Sequence, residues 1–225
     1  MDLHFNNAQR IGILGSTGSG KSINFYAIAN ELLADGITMF YYNTSKEQKY
    51  KQYIKSQYLK RFIVYMPPDI KARNLQHFEL WLAHIRAEYH SYNKSKDGDV
   101  PENKRKYYTV AVDDIDLFYN SYNYTKDLSE VLKSHIGEGR KLGIGFIWLC
   151  KQVQYIPPTL FDNLDWIIIG RFNTIKGLQQ LKNFAAISEI LALSERRFIC
   201  ADLRPEGRGE RAIITVEGGK ICEKT

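Results

Sequence analysis

The sequence predicts an α/β fold built on a mostly parallel central sheet flanked by helices. Three observations carry that expectation. Short apolar runs alternate with helical patterns along a chain of 225 residues, the order that builds parallel sheets through strand–helix–strand crossovers. A glycine-rich turn, GSTGSGKS, separates the first apolar run from the first helical pattern. Near the C-terminus the runs RFICADL and AIITV flank the turn-rich RPEGRGER, which reads as a β-hairpin over about residues 197–217.

The elements follow in order. IGIL opens as a short strand, and a helix over residues 21–33 stops near Gly36. ITMFYY is a second strand, and SKEQKYKQYIKSQYLKR reads as a polar, lysine-rich helix. FIVYM is a third strand, stopped by Pro67 and Pro68. Leu75, Phe78, Leu82, Ile85 and Tyr89 fall at spacings of three and four, which predicts an amphipathic helix over 74–90. Residues 91–106 are polar and aperiodic, hence a loop. YYTVAVDD is a strand ending in two carboxylates. Leu128, Val131, Leu132, His135 and Ile136 predict a helix over 126–140. IGFIWLC is an apolar strand that ends in Lys151 and Gln152 and leaves through Pro157 and Pro158. WIIIGRF is another strand, followed by helices near 176–184 and 187–193. With no internal repeat or linker, residues 1–225 read as a single domain.

Composition narrows the class. The length suffices to bury a core without covalent staples. Cys150, Cys200 and Cys222 have neither paired nor metal-like spacing, which argues for a reducing compartment and against a disulfide framework. No apolar run reads as a signal peptide or reaches the roughly 20 residues of a membrane span. The expectation is a soluble, cytoplasmic protein. The net charge of +6 suits an anionic polymer partner without requiring one.

The chemistry concentrates in two places. Gly15, Ser16, Thr17, Gly18, Ser19, Gly20, Lys21 and Ser22 match GxxxxGK[ST] at every fixed position. Glycines let such a loop wrap with its N–H groups inward, where they and the positive end of the next helix hold phosphates. Lys21 then reaches the β- and γ-phosphates, and Ser22 is placed to ligate Mg²⁺. The candidate cofactors are therefore ATP and Mg²⁺. A second acid must complete the metal site, and the apolar run before Asp113 delivers it to the C-terminal edge of the sheet. Asp114 stands where a hydrolase wants a base or a water-orienting carboxylate. Asp116 reads as a turn residue.

Four segments, GILGSTGSGKS, YYTVAVDDID, GEGRKLGIGFIWLCKQ and LFDNLDWIIIGRF, together resemble the FtsK–HerA superfamily of DNA-pumping P-loop ATPases. The chain is most similar to the small genome-packaging ATPases of tailless icosahedral viruses, including archaeal ones. The likeness spans roughly residues 10–173 and implies a RecA-like core. By resemblance, Lys21 and Ser22 are the phosphate and metal residues, Asp113 the metal acid and Asp114 the catalytic carboxylate. Arg140 matches the arginine that acts in trans on a neighbouring subunit's site; a basic residue at a helix C-terminus is also favoured by the helix dipole. Gln152 matches the glutamine that senses the γ-phosphate. Two departures stand out: Asp114 replaces the usual glutamate, and Lys151 replaces the usual Ser or Thr on a strand one residue longer.

The resemblance implies an ATP-driven double-stranded DNA translocase, packaging a viral genome as a homo-hexameric ring. A capsid or internal-membrane protein at a portal vertex is the implied dock. Two basic stretches, a tyrosine-bearing one around residues 46–61 and another around 94–106, are candidate phosphate-backbone surfaces or solvated faces. Two other functions remain open: a secretion or filament-extrusion motor, and a nucleotide-gated assembly protein with slow ATPase. A small-molecule kinase fits less well, since the sequence has no clear Arg-bearing lid.

Overall fold

RIGIL is apolar on both sides of its pleat except for Arg10, and all five residues are buried. Such a strand belongs in the middle of a sheet covered on both faces. A computed structural model of the chain describes residues 5–6, 8–45, 47–68, 74–95, 98–101, 104–119, 128–172, 174–206, 210–217 and 220–224. Its elements are β1 (Arg10–Leu14), α1 (Lys21–Ala34), β2 (Thr38–Tyr42), α2 (Tyr50–Tyr53), β3 (Phe62–Tyr65), α3 (Leu75–Asn93), β4 (Lys94–Ser95), β5 (Gly98–Asp99), β6 (Tyr108–Val112), α4 (Glu130–Gly139), β7 (Ile144–Cys150), α5 (Pro158–Phe161), β8 (Trp166–Ile169), α6 (Ile175–Leu181), α7 (Ile187–Ala192), β9 (Phe198–Asp202), β10 (Arg211–Glu217) and β11 (Lys220–Lys224).

Among the described residues, nine strands form one sheet in the order β11-β10-β9-β8-β1-β7-β6-β2-β3. From β8 to β3 all pairings are parallel. β9, β10 and β11 extend the sheet antiparallel. The pleat divides the core in two. Leu14, Tyr42, Val110, Trp148 and Ile167 face α3, α4 and the helices after β7. Ile13, Tyr41, Ala111, Leu149 and Ile168 face α1. Strand alternation with helices thus produces the α/β architecture that the pattern predicts.

Three local expectations change. The lysine-rich segment is no continuous helix: α2 is one turn, and a 3₁₀ stretch covers Ser56–Arg61. Between them Ile54 turns extended (φ −81°, ψ 128°) and drops into the core. Asn30 of α1 clamps the break, donating to the Tyr53 carbonyl at 2.9 Å and accepting from the Lys55 N–H at 3.0 Å. Next, the polar stretch 91–106 is not all loop, since α3 runs to Asn93 and β4 pairs with β5. Finally, the C-terminal hairpin of β9 and β10 gains a further partner in β11. Among the described residues no helix is long and apolar enough to cross a membrane.

Candidate nucleotide-binding site

Parallel register brings the functional residues to one edge. Leu14 pairs with Cys150, Val112 with Trp148 and Tyr42 with Val112. The residues that follow these strands therefore emerge side by side at the C-terminal edge, the usual ligand edge of an open α/β sheet. The Gly15 N–H donates to the Cys150 carbonyl at 3.1 Å, and the Ser16 N–H to the Arg171 carbonyl at 2.9 Å. Gly18 (φ 81°) and Gly20 (φ 98°) take left-handed backbone, which lets the loop turn back onto the N-terminus of α1.

Thr17, Gly18, Gly20, Lys21, Ser22, Asp113 and Asp114 line one cavity of about 370 Å³. Gly15, Ser16 and Ser19 complete the loop; Ser19 is buried. Lys21 Nζ donates to the Gly15 carbonyl at 2.7 Å and to the Ser16 carbonyl at 3.1 Å. Burial holds its pKa below the ordinary lysine value, with Asp114 opposing.

Asp113 is 7% exposed. Its N–H donates to the Tyr42 carbonyl at 3.0 Å, and its carbonyl accepts from the Thr44 hydroxyl at 3.2 Å. Burial, then the adjacent Asp114 charge, pushes the Asp113 carboxyl well above the usual carboxylate range; Lys151 and Lys21 pull the other way. A buried carboxylate that gains from nearby positive charge, with the Ser22 hydroxyl on the same cavity wall, fits Mg²⁺. That ion takes one or two protein oxygens and completes its shell with phosphate and water.

Asp114 sits in left-handed backbone at φ 47°, ψ 53°, a conformation that costs a non-glycine residue about 1 kcal/mol or more. The strain aims its carboxylate at Lys151, whose Nζ lies 2.5 Å from Asp114 Oδ2. The other oxygen, Oδ1, is buried with no hydrogen-bond partner among the described residues.

The structure separates the two residues at the end of β7. Lys151 lines the cavity, whereas Gln152 does not. Gln152 is exposed and precedes the 3₁₀ turn Val153–Tyr155. The strand ends at Cys150, so Lys151 is the first side chain beyond the sheet edge. Arg140 also lies apart. It opens the 3₁₀ turn Arg140–Leu142 that leads into the N-terminal end of β7. That is the edge of the sheet opposite the phosphate loop.

Arg196 and Asp116 are among the residues that join the site without a sequence signal. Arg196, from the loop before β9, lines the cavity and has φ 63°. A Cβ on Gly20 would lie 3.5 Å from Arg196 Cγ. The antiparallel turn of β9 against β8 brings this loop back to the phosphate edge, and no local pattern foretells it. Asp116, read as a turn residue, is 5% exposed and accepts the Lys151 N–H at 2.9 Å. Of the tyrosines in the lysine-rich stretch, Tyr50 and Tyr58 pack against the core, whereas Tyr53 is exposed, stacks on Tyr26 at 5.5 Å and lines the cavity with it.

Neither a protein-family model nor a curated protein matches the sequence. Solved structures do share its fold. The genome packaging NTPase B204 from Sulfolobus turreted icosahedral virus 2, in complex with ATP-gammaS, superposes with a TM-score of 0.67 at 15% identity, covering 93% of this chain and 98% of that one. The pCW3 conjugation coupling protein TcpA, with ATPgS, gives 0.60 at 17% identity over 89% of this chain and 58% of its own. The flagellar accessory protein FlaH from Methanocaldococcus jannaschii gives 0.58 at 15% identity over 98% and 91%. The chain thus has the RecA-like fold of P-loop NTPases, with its phosphate loop and paired acids at the ligand edge of the sheet.

Proposed function

We propose that this chain is an ATP-hydrolysing, double-stranded DNA translocase that packages a viral genome into a preformed capsid. One observation carries the reading. Lys21, Ser22, Asp113 and Asp114 share a cavity on a fold that matches a packaging NTPase over almost the full length of both chains. In this reading the loop amides and Lys21 hold the β- and γ-phosphates. Ser22 and Asp113 hold Mg²⁺, which neutralises charge on the transferring phosphoryl group. Asp114 orients the attacking water and accepts its proton. Arg140 completes the site of the neighbouring subunit, so the working form is a ring, a homo-hexamer. Its position on the opposite edge of the sheet from its own phosphate loop favours action in trans. Sequence-blind contacts from surface lysines to phosphates suit a motor that must move along any duplex. The ring docks on a capsid or internal-membrane protein, and the place of action is the host cytoplasm.

A second reading rests on the FlaH likeness, which covers 98% of this chain. There the nucleotide gates an assembly or extrusion machine that carries no DNA. ATP hydrolysis measured with and without long duplex DNA, at low and moderate salt, separates the two. The packaging reading expects DNA to stimulate hydrolysis, with the effect fading as salt rises and vanishing in Lys21→Ala. Hydrolysis indifferent to DNA at both salt concentrations refutes the translocase and favours the gating machine.

A further inference from the structure

The end of β7 is built to place one cation. The Lys151 N–H donates to the Asp116 carboxylate at 2.9 Å, and Asp116 is itself buried. The lysine stem therefore starts from a fixed anchor. From it Nζ reaches Asp114 Oδ2 at 2.5 Å, while the rest of the side chain remains 40% exposed along the cavity wall. The Asp114 carboxylate is 6% exposed and held by left-handed backbone. Lys21, the cavity's other deep cation, donates to the carbonyls of Gly15 and Ser16 rather than to Asp114, so its proposed phosphate role leaves the Lys151–Asp114 pair untouched.

Resting on the reading of this cavity as a nucleoside triphosphate site, we propose that Lys151 is its γ-phosphate ligand and works by exchange of partners. In the nucleotide-free chain Lys151 is paired with Asp114 and blocks that carboxylate. A terminal phosphate draws the ammonium away, and Asp114 is left free to accept a hydrogen bond from water. The physical chemistry favours such an exchange. Breaking the pair leaves a buried carboxylate without its cation, a cost that binding of the terminal phosphate offsets and that the binding cycle reads as coupling. A terminal phosphate carries more charge than a carboxylate. The lysine ammonium is a compact charge on a flexible stem and swings without moving its anchored backbone. Gln152, neutral and outside the cavity, makes no such pair. The chain therefore couples its catalytic carboxylate to the presence of the third phosphate with a cation where the resembling family uses glutamine.

The test is a binding cycle that needs no turnover. Affinities for AMPPNP and for ADP, each with Mg²⁺, are measured by calorimetry for the unmodified chain, Lys151→Ala, Asp114→Asn and the double variant. Exchange expects Asp114→Asn to tighten AMPPNP at least about fivefold more when Lys151 is present than when it is alanine. The same cycle on ADP stays near unity. A fixed pair that merely screens Asp114 gives the reverse order, with the larger gain in the Lys151→Ala background. Equal gains in both backgrounds, that reverse order, or the same coupling with ADP each overturn the proposal. Binding of neither nucleotide by the unmodified chain removes the triphosphate reading itself, a failure distinct from loss of coupling. Lys151→Met, closer in volume, replaces the alanine variant if that one does not fold.

Discussion

Acidification costs this fold stability through His135, a residue outside the nucleotide site. His135 lies on α4, is 1% exposed and packs against the rings of Tyr108 and Phe146. Burial, then the charges of Arg86 and Arg10, drives its pKa down to about 3. In the unfolded chain the value is about 6.5. Between those two values the unfolded chain binds a proton that the folded chain refuses. The neutral His135 therefore fits the fold at no protonation cost above about pH 6.5, and stability falls as pH drops below it. Integrated from pH 7 to pH 5, the loss is about 2 kcal/mol, a sizeable share of the 5–15 kcal/mol typical of a domain. Asp113 acts in the opposite sense, because burial raises its pKa and protonation relieves the fold. The His135 contribution is therefore read as a difference between proteins. Urea denaturation at pH 7 and pH 5 is compared for the unmodified chain and His135→Leu, a substitution of similar volume. The unmodified chain is expected to lose about 2 kcal/mol more than the variant over that range. Parallel pH profiles refute the reasoning.

Two further outcomes follow from the site and its supports. Gly170 donates its N–H to the Leu14 carbonyl at 2.7 Å, and a Cβ there would meet Phe198 Cε1 at 2.6 Å. Gly170→Ala is expected to cost about 1–3 kcal/mol in urea denaturation and to weaken nucleotide binding through the loop it braces; unchanged stability contradicts the packing argument. Arg140→Ala is expected to lower kcat on the order of 10³-fold with only a few tenths of a kcal/mol in stability. Mixing it with Lys21→Ala chains restores part of the activity if subunits share sites, and near-intact hydrolysis by Arg140→Ala alone eliminates the finger.

Much of the site was legible in the sequence because its chemistry is local. Glycines at 18 and 20 are needed where the loop turns left-handed, and Lys21 and Ser22 follow at fixed spacing. An apolar strand ending in Asp113 and Asp114 announces a buried edge with carboxylates at its tip. The basic segment 46–61 misleads for the opposite reason. Its composition favours helix, but burying Ile54 and satisfying Asn30 of α1 break it into two turns.

The sequence by itself determined the alternation of strands and helices, the phosphate loop and the two acids, since periodicity and short-range spacing suffice for each. Only the tertiary structure brought Lys151 rather than Gln152 to the cavity wall, placed Arg196 at the loop and made Asp116 an anchor. Those choices depend on which strands lie side by side and on their register. A shift of one residue at the end of β7 exchanges one side chain for the next at the cavity. No local pattern records that shift, because the partners that define it, β1 and β6, lie far away in the chain.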